Sequence, residues 1–99
     1  ISQHADIDIS IIGALFGAVG TAGQRCTTTR RLIIHESVYD SFVQKLTAAY
    51  GRLRIGNPLD ANNHVGPLID VPAVNMYLQS IEACKQQGGN FLVQGGVLS

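Results

Sequence analysis

The order of predicted elements constrains the fold of this chain more than any other feature. Three threonines at 27–29 and a short apolar run within 31–35 favour a strand, and apolar residues at helical spacing follow over 38–53. A second helix is predicted from a cap at Asp70 to the glycine pair 88–89, and the short apolar run 91–93 is typical of a strand. Strand, helix, helix and strand in succession fit a right-handed crossover between parallel strands. We therefore expect an α/β fold with helices packed on a mainly parallel sheet.

A further helix is predicted upstream of this pattern. Residues 11–19 are apolar nearly all round, which favours a buried helix over a surface one. Asp6 or Asp8 is placed to cap its N-terminus, a role that suits them better than paired catalytic carboxylates. Gly13 and Gly17 weaken the helix intrinsically, and their spacing predicts close packing against a neighbouring element.

The caps of the two later helices can also be predicted. Ser37 is expected to cap the first of them, with Asp40 reaching back from three residues later. Asp70 is expected to cap the second, with Pro72 in its first turn. Cys84 falls on the apolar side of that second helix, so we expect it to be an ordinary buried core residue.

Composition excludes several classes of function. The 99 residues suffice for one small domain at most, and seven basic residues balance seven acidic ones without forming a basic stripe. We therefore expect no nucleic-acid or membrane partner. The longest uncharged run, Ile9–Gln24, is short for a membrane span and contains four glycines. The two cysteines are too far apart in sequence to indicate a disulfide framework or a metal site, and they fit a reducing compartment.

The segment Gly20–Leu32 carries the strongest indication of chemistry. Glycines lead to Cys26, and Arg25 and Arg30 flank it at short range. Because nearby positive charge favours the thiolate, the pattern predicts a nucleophilic thiol beside an anion-binding guanidinium. The structural alternatives are a small buried hydrophobe for Cys26 and a solvated or salt-bridged side chain for Arg25.

The same segment resembles a known family. The string 23–27, Gly-Gln-Arg-Cys-Thr, resembles the catalytic-cysteine segment of the aldehyde dehydrogenase superfamily. The longer Gly20–Leu32 is most similar to its antiquitin branch, the α-aminoadipic semialdehyde dehydrogenases. Matching strings at 34–37, 56–60 and 66–68 follow in the family's order. The resemblance implies that 1–99 is a fragment of the catalytic, cysteine-bearing domain and that the NAD-binding domain is not present in this chain.

The resemblance also implies roles for individual residues. Cys26 would attack the aldehyde carbon, forming a thiohemiacetal and, after hydride transfer to NAD or NADP, a thioester. Arg25 would contact the distal carboxylate of the substrate, Thr27 would line the site, and Gly23 and Gln24 would shape the turn. The family's general-base glutamate and oxyanion-binding asparagine belong to a Glu-Leu-Gly-Gly-Asn-Asn segment that this chain lacks. No residue here is expected to bind a cofactor or a metal.

The function that we expect is NAD(P)-dependent oxidation of a small-molecule aldehyde, α-aminoadipic semialdehyde first among them, as in lysine catabolism. The fragment alone is expected to be inactive, and its parent protein to be a homodimer or homotetramer. The expected location is cytoplasmic, or the mitochondrial matrix in a eukaryote. Two alternatives remain open: an aldehyde dehydrogenase of other substrate preference, and a non-catalytic structural or interaction module with the same fold.

Overall fold

Helices dominate residues 1–98, the part of the chain that the computed structural model describes. Helix α1 spans Ile7–Val19 and is followed by a short turn, Gly20–Gly23, whose Thr21 and Ala22 have left-handed backbone angles. Helix α2 spans Glu36–Gly51, and helix α3 spans Val71–Gln86. The three helices lie where the apolar spacing predicts them, although α2 begins and ends slightly earlier than expected.

Two of the predicted caps are confirmed and one is wrong. The Asp6 carboxylate accepts a 3.1 Å hydrogen bond from the backbone N–H of Ile9, and Asp70 accepts one of 2.8 Å from Ala73. At α2 the cap is His35, whose Nδ1 accepts from the backbone N–H of Ser37 at 3.2 Å. Because α2 already begins at Glu36, Ser37 lies inside the first turn and cannot cap it.

The core lies between α1 and α2. Phe42 is fully buried and packs with three other buried apolar residues, Ile11, Ala14 and Ala49. An ion pair between Lys45 Nζ and the Asp8 carboxylate, 2.7 Å apart, links the same two helices at the surface. The segment that carries Cys26 follows α1, and packing against α2 fixes the position of α1.

The predicted parallel sheet is not formed within residues 1–98. The run 31–35 is extended, and Ile1 lies beside it: the Ile1 nitrogen donates to Ile33 O at 2.7 Å, and Ile1 O accepts from His35 N at 2.9 Å. This is the bonding pattern of a parallel ladder, one residue long. The run 91–93 is not a strand. A strand needs a neighbouring backbone as hydrogen-bonding partner, and the described residues provide only this pairing and an isolated parallel bridge between Ile55 and Val65.

Two burial predictions are wrong for the same reason. Ile12 and Phe16 of α1 are 69% and 64% exposed, although residues 11–19 were expected to form a buried helix. Helix α3 contains no buried residue, and Cys84 is exposed. Both helices have the predicted apolar sides, but among the described residues only α2 packs closely on α1, and no helix packs closely on α3.

Candidate active site

A left-handed turn connects α1 to Cys26. Thr21 and Ala22 have φ angles of 51° and 55°, and Gly23 has a φ of 73°. Glycine adopts this conformation freely, whereas each non-glycine residue in it costs about 1–2 kcal/mol. The β-branched Thr21 is the more unusual of the two. Strained backbone of this kind is concentrated at functional sites in proteins.

Cys26 lies at the apex of the turn that follows. The Arg25 carbonyl accepts from the backbone N–H of Thr28 at 3.2 Å, and Thr28 Oγ1 accepts from the N–H of Arg25 at 3.1 Å. Cys26 and Thr27 are thus the two central residues of a β-turn, and both are exposed. Within residues 1–98, no hydrogen bond uses the Cys26 thiol or its backbone N–H. Both groups are therefore free to interact with a reactant.

The chain returns from this turn onto α1 at Gly17. The backbone N–H of Thr29 donates to the Gly17 carbonyl at 2.9 Å. A Cβ added to Gly17 would lie 2.5 Å from Thr29 Oγ1, so any other residue there would force the Thr29 side chain to shift. The predicted close packing is confirmed at Gly17. A Cβ added to Gly13 would instead meet open space.

Gln24 holds the Cys26 turn from two sides. Its backbone N–H and its Nε2 both donate to the Thr21 carbonyl, at 3.1 and 3.0 Å. Its Oε1 accepts a 2.8 Å hydrogen bond from the backbone N–H of Ile69, in the loop that precedes α3. Gln24 thus connects the left-handed turn to a distant part of the chain.

The two flanking arginines have different surroundings. The guanidinium carbon of Arg25 lies 5.5 Å from the centroid of the Phe16 ring, within the range of a cation–π interaction. Arg30 Nη1 donates to the Thr28 carbonyl at 3.0 Å. Arg30 therefore stabilises the turn around Cys26, while Arg25 extends along the end of α1.

Arg25 also lines a cavity of about 560 Å³ next to that end of α1. Arg52 and His64 line the same cavity, together with apolar side chains of α1, but Cys26 does not. A larger cavity of about 1230 Å³, lined mainly by apolar residues, lies alongside α2, and Cys26 does not line it either. The Cys26 thiol is thus on the surface and lines neither cavity.

Phe16, Arg52 and His64 were not predicted as part of the site. Arg52 and His64 follow Arg25 by more than 25 residues, and no local pattern connects them with it. Nδ1 of His64 accepts a 3.0 Å hydrogen bond from the backbone N–H of Arg54. Phe16 was predicted only as part of the apolar run 11–19, which does not distinguish a core residue from a partner of Arg25.

In the part of the chain that the structure describes, no three His, Cys, Asp or Glu side chains come together as metal ligands. None of the described helices combines the length and the apolar character that a membrane span requires.

Comparison with protein families places these features in a known context. The model of the aldehyde dehydrogenase family matches residues 1–99. The chain belongs to the aldehyde dehydrogenase family. The resemblance inferred from the Cys26 segment is thereby confirmed.

Individual aldehyde dehydrogenases show the same relationship. The chain is 48% identical over 96 residues to the α-aminoadipic semialdehyde dehydrogenase of Bos taurus, covering 97% of this chain and 18% of that protein. It is 48% identical over 98 residues to aldehyde dehydrogenase family 7 member A1 of Pisum sativum, covering 99% and 19%. The chain thus spans about a fifth of the length of the curated relatives that it matches.

A solved structure supports the fold. The crystal structure of HpcC from Thermus thermophilus superposes with a TM-score of 0.88 at 33% sequence identity, over 92% of this chain and 18% of that one. This likeness supports the prediction that the chain is part of an aldehyde dehydrogenase catalytic domain. Within residues 1–98 the three helices predicted from the sequence are present, and the predicted parallel sheet is not formed.

The residues of this aldehyde dehydrogenase chain do not fit a dinucleotide site. A phosphate-binding loop needs glycines that follow a strand and open a helix. Gly17, Gly20 and Gly23 instead lie at the end of α1 and in the turn that leaves it. We therefore assign no cofactor-binding residue within residues 1–98.

Proposed function

We propose that the complete protein containing this chain oxidises an aldehyde to a carboxylic acid, with Cys26 as the nucleophile. The observation that carries the proposal is the Cys26 turn, in which an exposed thiol and its own backbone N–H are both without a partner among the described residues. Cys84 is exposed too, but its backbone N–H lies within α3 and is engaged in the helix, whereas that of Cys26 is not. Membership of the aldehyde dehydrogenase family supports the same chemistry.

The residues of this chain would contribute to the first step of the reaction. The Cys26 thiolate adds to the aldehyde carbon, a carbon–sulfur bond forms, and the carbonyl oxygen becomes an oxyanion. The uncommitted N–H of Cys26 is a suitable donor to that oxyanion. NAD or NADP, bound by parts of the protein outside this chain, supplies the hydride acceptor. The general base that activates water for thioester hydrolysis would likewise come from outside this chain.

We propose a carboxylated aldehyde as substrate, and α-aminoadipic semialdehyde in particular. The relative in Bos taurus is named for that substrate. Arg25 is not ion-paired within residues 1–98, so its guanidinium is available to a substrate carboxylate. Thr27, the other central residue of the Cys26 turn, is exposed and would line the site.

NADH formation tests this proposal. The longest natural polypeptide that contains this sequence should form NADH from α-aminoadipic semialdehyde. Cys26→Ala should abolish the reaction, and the matched control Cys84→Ala should retain it. If the folded wild-type protein forms no NADH from this substrate or from a panel of other aldehydes, the enzyme proposal is wrong and the non-catalytic module is the better account. If the enzyme oxidises only plain aliphatic aldehydes, the proposed reaction class stands and the proposed substrate is wrong.

Three further properties belong to the proposal. Residues 1–99 alone should not turn over, because they lack the general base and the cofactor domain. The complete enzyme would be a homodimer or homotetramer, with no nucleic-acid or membrane partner. It would work in the cytoplasm, or in the mitochondrial matrix of a eukaryote.

A further inference from the structure

We infer that the Arg25 cavity, the space of about 560 Å³ next to the end of α1, binds the carboxylate end of the substrate through a second guanidinium, that of Arg52, and through His64. This inference rests on the proposed function, which assigns Arg25 to the substrate carboxylate. It adds two specificity-determining residues from the end of α2 and the following loop.

The cavity is an open depression with the volume and the mixed lining of a small-molecule site. Its volume falls within the range of about 300–1,000 Å³ that is usual for ligand pockets. One part of its wall is apolar and comes from helix α1 and the residues after α2: Ile12, Leu15, Val19 and Leu53. A wall of this kind suits a short aliphatic chain, because burying each methylene contributes about 0.8 kcal/mol.

The charged part of the lining has a single sign. Arg25 and Arg52 line the cavity, and no aspartate or glutamate does. The ion pair in residues 1–98 joins Lys45 to Asp8, so neither of these two arginines is neutralised by a carboxylate there. Two unpaired guanidiniums around one cavity favour an anion, and their forked donors match a carboxylate in particular.

His64 adds a donor whose position is determined by its other contact. Its Nδ1 accepts the 3.0 Å hydrogen bond from the backbone N–H of Arg54. In the neutral imidazole, the nitrogen that accepts carries no proton, so the proton is on Nε2. Nε2 is therefore a hydrogen-bond donor, and His64 lines the cavity together with the two arginines.

The position of Arg25 connects this cavity with the reaction. Arg25 immediately precedes Cys26, and its guanidinium extends over Phe16 at the edge of the cavity. A substrate with a carboxylate at one end and an aldehyde at the other could therefore occupy the cavity with its charged end and reach the exposed Cys26 thiol with its reactive end. The chemical class is an aliphatic aldehyde with a terminal carboxylate.

Binding of an unreactive probe tests the cavity without chemistry. Hexanoate should bind to the complete Cys26→Ala protein in a calorimetric titration, and hexan-1-ol, which lacks the charge, should bind more weakly. Arg52→Gln should weaken hexanoate binding about tenfold or more, because it removes a charge-assisted hydrogen bond. The matched control Arg31→Gln removes an exposed guanidinium that lines neither cavity, and it should leave binding unchanged.

Two substitutions separate the roles of the His64 nitrogens. His64→Asn keeps an acceptor near the position of Nδ1 and removes the Nε2 donor, so it should weaken hexanoate binding. His64→Gln places an amide N–H near the position of Nε2 and should retain more of the binding. If both variants fold and lose hexanoate binding equally, the Nε2 donor is not needed, and His64 acts only through its hydrogen bond to Arg54.

Kinetics of the active enzyme distinguish this inference from the proposed function. Arg52→Gln should raise KM for 6-oxohexanoate and leave KM for hexanal unchanged, with kcat retained for both. If the enzyme forms NADH but the Arg52→Gln protein binds hexanoate as tightly as the protein with Arg52, the inference is wrong and the proposed function stands. If no aldehyde is oxidised while hexanoate binds in an Arg52-dependent way, the cavity is a carboxylate site and the proposed function is wrong.

Discussion

Gln24 Oε1 accepts a 2.8 Å hydrogen bond from the backbone N–H of Ile69, 45 residues later in the chain. The Nε2 of the same side chain donates to the Thr21 carbonyl at 3.0 Å. One amide therefore joins the left-handed turn before Cys26 to the loop before α3. A side chain with both a donor and an acceptor at its end is needed for this double contact.

Gln24→Ala is expected to lower kcat/KM of the complete enzyme about tenfold or more, because a nucleophile that is no longer held in place loses the advantage of orientation. The free energy of unfolding should fall by about 1 kcal/mol as the side-chain hydrogen bonds are lost. Steady-state kinetics and chemical denaturation measure the two effects. Gln79→Ala, at an exposed position of α3, is the control. Unchanged kinetics in Gln24→Ala would show that the link to Ile69 is not needed for the reaction.

The alkylation rates of the two cysteines are expected to differ. Cys26 and Cys84 are both exposed, so accessibility alone predicts similar rates. If Cys26 is an activated nucleophile, iodoacetamide should modify it faster than Cys84, and substrate should protect it selectively. Mass spectrometry of peptides from the briefly treated complete protein measures both sites at once. Equal rates without substrate protection would contradict the nucleophilic role.

Local signals in the sequence predicted local structure well. The capping carboxylates of Asp6 and Asp70 lie within three residues of the N–H groups that they accept, and both were predicted. The α2 cap was not, because His35 is an uncommon capping residue and Ser37 is a common one. The sheet and the burial of Cys84 failed because both depend on neighbours that residues 1–98 do not provide.

The site shows the same division between local and distant information. The string around Cys26 indicated the thiol, Arg25 and Thr27, and the structure places the thiol at an exposed turn. The contact of Gln24 with Ile69, and the shared cavity of Arg25 and Arg52, join residues that are far apart in sequence. A single sequence contains no periodicity or spacing rule that connects such pairs.

Replacing Thr21 by glycine is expected to stabilise the protein and to weaken its activity. Thr21 has a φ of 51°, which costs a β-branched residue about 1–2 kcal/mol and costs glycine nothing. Part of that gain is offset, because glycine also makes the unfolded chain more flexible. We expect a higher melting temperature together with a lower kcat, since the turn before Cys26 becomes less rigid. Thr47→Gly, in the regular part of α2, should instead destabilise the protein.

Tyr50 is expected to make the protein sensitive to alkali. It lies in α2, and desolvation by burial raises the pKa of its phenol above the ordinary value of 10.0. The unfolded state therefore loses this proton at a lower pH than the folded state, so the contribution of Tyr50 to stability is complete below pH 10.0 and falls as the pH rises through the folded-state pKa. Tyr50→Phe removes the titrating group. In chemical denaturation, the difference in unfolding free energy between the wild-type protein and Tyr50→Phe should be constant from pH 7 to pH 9 and should shift in favour of Tyr50→Phe above about pH 10. A difference that does not change with pH would show that the burial of the Tyr50 hydroxyl is lost in the complete protein.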